Sequence, residues 1–359
     1  MRLVNKWIKS LSALALALPL LAEAAAYKSE YRLSVVPGPT SGWAKTADYF
    51  ADKVKERTAG RVNIKVYPAA QLMAGKQTSE FMLLRNGSID FALASTINWS
   101  PQIKELNLPA LPFVMATQPD RYKATDAMLA GKSGKLMIEA VEKKGVKFLG
   151  WAENGFRELT TSKGPITTPD DLKGLKIRVV GSPIFIDTFN ALGANPVNMN
   201  WSEATTGFQQ GLVDGQENPT NGINLTLKIW DFHKYYTDWH YMNDPLLMCV
   251  NPGVWKNFSA EDQQILQECA AQAELYGKAL SRLGMDDGAA LKYLTELGLA
   301  PGYDDPYKVL TDNGMEISKL TPEQLQLFYE RTAQARAKWE KNLGTELIEA
   351  LHADLQSVQ

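Results

Sequence analysis

Short apolar runs alternate with amphipathic stretches of about ten to fifteen residues from Tyr31 to Trp151, and that alternation restricts the chain to an α/β sheet architecture. Tyr31 to Val36 reads as a strand. A Pro37-Gly38-Pro39-Thr40-Ser41-Gly42 loop leads into a helix from Trp43 to about Thr58, Gly60 ends it, and Val62 to Tyr67 is the next strand. The cycle repeats with a helix over Lys76 to Arg85, an Asn86-Gly87 turn and an apolar run from Ile89 to Ser95. Pro101 to Pro112 is expected to be extended, one helix to cover about Pro119 to Lys144, and Val146 to Trp151 to form another strand. In Thr168-Pro169-Asp170-Asp171-Leu172 the threonine caps a short helix, proline takes its first position, and the acids suit its N-terminus. Asp170 and Asp171 therefore read as helix-start residues and not as paired catalytic carboxylates. Helices dominate afterwards: Ser259 to about Leu283, Gly288 to Leu297, and one long helix from Thr321-Pro322-Glu323-Gln324 toward Leu351.

The first 26 residues read as a secretory signal. Arg2, Lys6 and Lys9 precede an eleven-residue apolar stretch from Leu11 to Leu21, too short to span a bilayer comfortably, and small residues follow for cleavage near Ala26. Loss of three basic residues and Glu23 takes the net charge from −2 to −4. That mild acidity, with no basic patch, excludes a nucleic-acid or anionic-membrane partner. About 333 remaining residues exceed the usual single core, so two domains are expected. Cys249 sits in an apolar strand-like run and Cys269 in a helix, and two separately buried thiols are preferred to a disulfide. His233, His240 and His352 show no ligand spacing, so neither a metal nor another cofactor is expected.

Two segments carry the chemistry. Gly174-Leu175-Lys176-Ile177-Arg178-Val179 alternates as a strand and sends Arg178 to the face opposite Ile177. Asp214-Gly215-Gln216-Glu217-Asn218-Pro219 reads as a polar turn presenting Asn218. A guanidinium fork beside a side-chain amide suits a small carboxylate.

These segments, with Leu159-Thr160-Thr161-Ser162-Lys163, Thr168 to Lys173 and Leu192-Gly193-Ala194-Asn195-Pro196-Val197, occur in an order and spacing that resembles the DctP-type solute-binding proteins of tripartite ATP-independent periplasmic (TRAP) transporters. The resemblance extends to Asn86-Gly87-Ser88-Ile89-Asp90-Phe91 and Leu111-Pro112-Phe113. It implies a two-lobed periplasmic-binding-protein fold with discontinuous domains, a cleft between lobes and long C-terminal helices spanning both. On that reading residues 27–154 plus 244–283 form lobe I, and 155–243 plus 284–359 form lobe II with the long helices. The partners implied are a small organic anion and a TRAP membrane permease. A monomer is implied, with a dimer through the terminal helix as the alternative.

Residue by residue, the resemblance makes Arg178 the principal carboxylate ligand, Arg157 a second and more peripheral arginine, and Asn218 an amide on the same carboxylate. Trp201 matches an aromatic that packs on the ligand, and Ser95 a first-lobe position that varies with the ligand's distal group. Ser95, Thr96 and Asn98 are neutral where commoner family members often carry charge; with Trp99 and Trp201 they suggest a small monoacid with a hydroxyl-bearing tail. Hydroxy acids, sugar acids and sulfonates fit that description, and a C4-dicarboxylate fits less well. The competing classes are a ligand sensor for a membrane receptor, using the same cleft, and an exported enzyme. The latter lacks H-E-x-x-H, Gly-x-Ser-x-Gly and G-x-G-x-x-G motifs, and Gly131-Lys132-Ser133 has Asp126 where a phosphate loop needs its first glycine.

Overall fold

The protein is described by a computed structural model covering residues 27–358; the expected signal segment lies outside the described residues. The strands, in chain order, are β1 (Tyr31–Ser34), β2 (Ile64–Tyr67), β3 (Phe91–Ser95), β4 (Lys147–Thr161), β5 (Lys176–Val179), β6 (Asn195–Asn198), β7 (Gly215–Pro219), β8 (Tyr235–Asp238), β9 (Asn243–Val250) and β10 (Glu316–Lys319). One half of the sheet has the order β2-β1-β3-β9-β4, with β1 parallel to β2 and β3, and β9 antiparallel to both β3 and β4. In the other half the end of β4 lies between β7 and β8, both antiparallel to it; β5 and β6 continue beyond β7, and β10 pairs with β8.

The 15-residue strand β4 thus belongs to both halves. It bends between them at Glu153/Gly155, where its register against β9 shifts. Gly155 has φ +116°, and a Cβ there would lie 3.3 Å from the Pro219 side chain, so the bend depends on glycine. Residues 239–242 return the chain from β8 to β9 beside this bend, and the Arg157 amide donates to the Met242 carbonyl. From Leu149 onward β4 is buried.

The apolar faces are buried in two large cores, one of them running across both halves. The Gly42–Arg57 helix is capped by Ser41, whose Oγ accepts from the Ala44 amide, and it buries Trp43, Ala47, Phe50 and Val54. That spacing of three and four residues is one helical face. Leu33, Phe91, Leu93, Met248 and Leu266 complete this core. Trp239, Tyr241, Phe113, Phe189 and Phe328 pack edge-on or tilted in a second, aromatic-rich core. Each fully buried large apolar side chain contributes about 1.5–3 kcal/mol.

Several expected elements differ. The region Asp214–Pro219 is not a turn: Gly215–Pro219 is the buried strand β7, held by β4 on one side and β5 on the other. Backbone pairing on both edges outweighs the Gly and Pro punctuation. The helix expected over Pro119–Lys144 is two, Arg121–Ala130 and Lys132–Lys143. They separate at Gly131 because the Asp354 carboxylate accepts from the Lys132 and Ser133 amides (3.0 and 2.8 Å), and a Cβ on Gly131 would lie 2.2 Å from it. The long terminal helix is three, Pro322–Arg331, Ala333–Leu343 and Thr345–Gln356, with Gly344 at φ +96° between the last two. Lys76–Arg85 begins with a 3₁₀ turn (Gln77–Ser79) before an α-helix (Glu80–Arg85), and Lys104–Ala110 is a 3₁₀ run where an extended segment was expected. Pro169–Leu172 is a single 3₁₀ turn with a Thr168/Asp171 capping box, so Asp171 is a cap as read. Cys249 and Cys269 are buried and free.

Candidate anion site between the two halves

The bend in β4 brings residues from both halves around one cavity of about 30 Å³. Val36, Trp43, Gln77, Ser95 and Asn98 line it from the first half, Arg178, Val180 and Trp201 from the second, and Arg157 and Asp244 from the strands between. One water needs roughly 10–15 Å³ on this measure, so the space is tight.

Arg178 lies in β5 and is 1% exposed. Its Nε and Nη2 donate to the Met199 carbonyl (3.1 and 2.8 Å), and its guanidinium sits 5.4 Å from the centroid of the Trp201 ring. It forms no ion pair among the described residues. Burial pushes its pKa down to about 10; nearby Glu217 opposes the shift and Arg157 adds to it. Arg178 therefore stays charged near neutrality with its remaining N–H groups unmatched by any carboxylate.

Arg157, in β4, behaves differently. Its Nε bonds Glu217 Oε2, its Nη2 bonds Glu217 Oε1 (2.8 Å) and the Glu217 carbonyl (2.7 Å), and its Nη1 bonds Asp244 Oδ2 (3.0 Å). Burial works against its charge, but Glu217 and Asp244 hold its pKa above the ordinary arginine range. It is the buried centre of an ion cluster.

Ser95 ends β3 with two duties: its Oγ accepts from the Ile97 amide (3.1 Å), capping a short helix, and donates to Asp244 Oδ1 (2.5 Å). Trp201 opens the Trp201–Gln209 helix, and its amide donates to Gln77 Oε1 (2.6 Å). Gln77 Nε2 in turn donates to Asn98 Oδ1 (2.8 Å). Asn218 does not line the cavity: it stands in β7, where its Nδ2 bonds Gln216 Oε1. Trp99 is wholly buried in the first half, with Nε1 on Glu80, and Thr96 also lies outside the lining.

Sequence reasoning missed Asp244 and Gln77. Asp244 is 1% exposed, and burial raises its carboxyl pKa while Arg157, Ser95 and Asn154 oppose the rise. The available signal was an acid in Asn243-Asp244-Pro245 opening a buried apolar run. Also unseen, His240 Nδ1 meets Asp238 Oδ1 (2.8 Å) and Glu158 Oε1 (3.0 Å) beside the bend. Burial lowers the His240 pKa, but these carboxylates override it and raise it to about 9.

Two sheet halves joined at a bent strand, with a buried guanidinium between them that meets no carboxylate among the described residues, define a two-lobed binding protein for a small anion. The sequence model of the bacterial extracellular solute-binding proteins, family 7 (DctP), matches residues 33–288, and the chain belongs to that family. It is similar to a TRAP periplasmic solute-binding protein from Ralstonia eutropha H16 with bound (S)-2-acetolactate: 44% identity, TM-score 0.82, covering 92% of this chain and 100% of that one. It is 34% identical over 234 residues (65% of this chain, 69% of the relative) to the Escherichia coli K12 2,3-diketo-L-gulonate-binding periplasmic protein. Over 331 residues (92% and 87%) it is 28% identical to the Rhodobacter capsulatus C4-dicarboxylate-binding periplasmic protein. The family serves transport as a solute-binding component, it is periplasmic, and its members bind small organic acids.

Proposed function

We propose that this protein captures a short monocarboxylate of the 2-hydroxy or 2-oxo acid kind between its lobes and delivers it, unchanged, to the membrane permease of a TRAP transporter. Arg178 carries the reading. An isolated buried charge costs several kcal/mol, and a chain that retains one against a neutral carbonyl is built to receive an anion. Arg178 grips the carboxylate with its fork, Trp201 covers the ligand, and Ser95 meets its neutral, hydroxyl-bearing part. Asn218 joins the same carboxylate by releasing Gln216, and Arg157 holds Glu217 and Asp244 in place. The Ralstonia relative's acetolactate, a branched hydroxy-oxo monoacid, supports the choice of ligand class, as does the tight cavity.

The lobes are residues 27–154 with 244–283, and 155–243 with 284–359, the terminal helices bracing both. The protein works as a monomer in the periplasm after cleavage near Ala26, and it performs no chemistry on its ligand.

A thermal-shift screen of the mature protein against small organic acids tests the reading. Ligand at a hundred times its Kd adds about 2.7 kcal/mol of stability. Charge-assisted hydrogen bonds contribute about 1.5–3 kcal/mol each, so Arg178→Ala should weaken binding by about 3–5 kcal/mol and erase the shift. Arg178→Lys, which keeps the charge and loses the fork, should fail largely as well. No shift with any carboxylate, or an undiminished one in Arg178→Ala, would sink the proposal.

A further inference from the structure

The two guanidinium groups at the cavity are not equivalent. Each has five N–H donors. Arg157 directs its donors to Glu217 and Asp244, so two carboxylates already answer its single charge. Arg178 meets the Met199 carbonyl and the Trp201 ring but no carboxylate. Arg157, Arg178, Glu217 and Asp244 thus form a buried group of zero net charge, in which Asp244 is the carboxylate lining the cavity.

Hydrogen-bond direction sharpens the picture at the far wall. Ser95 directs its only proton to Asp244 Oδ1, so it offers a ligand nothing but a lone pair. Asp244 Oδ2 accepts from Asn154 (2.8 Å) and Arg157 (3.0 Å), whereas Oδ1 accepts from Ser95 alone. Between them, Ser95 and Asp244 present acceptors, which call for a ligand hydroxyl. Asn98, whose Oδ1 is engaged by Gln77, retains its Nδ2 as a donor for a neutral carbonyl.

We infer that Asp244 sets the charge limit of the site: with Ser95 it accepts a hydrogen bond from a hydroxyl on the ligand and turns away a second carboxylate. The inference rests on the cleft being an organic-acid site. Two like charges about 5 Å apart at an effective dielectric near 20 repel enough to change affinity on the order of a hundredfold.

Calorimetry with (S)-2-acetolactate, 2-hydroxyisovalerate, isovalerate and succinate tests this. The wild type should bind acetolactate well ahead of succinate, and removal of the hydroxyl, from 2-hydroxyisovalerate to isovalerate, should weaken binding by about tenfold or more. Asp244→Asn should shift the acetolactate-to-succinate ratio toward succinate by at least about tenfold. A ratio within about twofold of wild type in a folded variant overturns the inference and leaves the acid site standing. If Asp244→Asn does not fold, the wild-type series decides: equal affinity for isovalerate and 2-hydroxyisovalerate overturns it. A wild type that binds no acid overturns both this inference and the functional proposal.

Discussion

Gln77→Ala tests whether the lobes are held together by a bond beside the ligand. The Trp201 amide is one of the donors at a helix start that has no intrahelical partner, and its Asn200 cap supplies no side-chain bond. Gln77, from the opposite half, accepts it at 2.6 Å while its own amide is fixed by Asn98. Opening of the lobes would hand the Trp201 N–H to water, so the truncation is expected to penalise the closed state alone. This bond is part-buried, so its loss costs about 1 kcal/mol, or roughly fivefold in Kd. Titration calorimetry reads the affinity, and stopped-flow fluorescence should place most of the change in the dissociation rate. Trp201 provides the signal. A Kd within about twofold of wild type would show that the Gln77 bridge does not stabilise closure.

Three other changes separate structural charges from the charge proposed to bind the anion. Arg157→Met strands the Glu217 and Asp244 carboxylates in the interior, and urea melts without ligand should show about 3–5 kcal/mol lost. Arg178→Met strands no acid and should leave those melts near wild type or better while abolishing binding; equal destabilisation by the two would refute the distinction. Glu80 is wholly buried, and burial raises its carboxyl to about 8 although Ser34 and Trp99 oppose this. Its contribution is fully present below the unfolded value near 4.5 and is lost as pH rises toward 8. Glu80→Gln should therefore flatten the fall in stability across that window and, at pH 8.5, exceed wild type by on the order of a few kcal/mol; parallel urea-melt profiles would contradict it.

Helix starts and the strand that carries Arg178 were legible because their signals are local. Ser41, Ser259 and Thr321 cap the helices that follow them, and Arg178 stands in a short run with strand periodicity. The misses have long-range causes. The break at Gly131 depends on Asp354, 222 residues from the Lys132 amide that it caps. The strand β7 looked like a turn because Gly215 and Pro219 punctuate it, yet pairing on both edges decides its conformation. Ser95 meets Asp244 across 149 residues and Gln77 meets Trp201 across 124, so no spacing rule could join them.

The same geometry explains how an anion could govern closure. Trp201 lies over Arg178, while its backbone amide is the donor that Gln77 receives from the other half. On the proposed reading, a carboxylate on Arg178 offsets by its charge the desolvation that depresses the guanidinium's pKa, and it fixes the ring above it. Fixing the ring fixes the amide, so the ligand favours the bridge to Gln77 and Asn98 through differential contact with the closed form. A neutral molecule of the same shape gains the packing but not the relief at Arg178. On the proposed reading, charge recognition and closure are coupled through Trp201, and separating them requires changing Gln77 without touching Arg178.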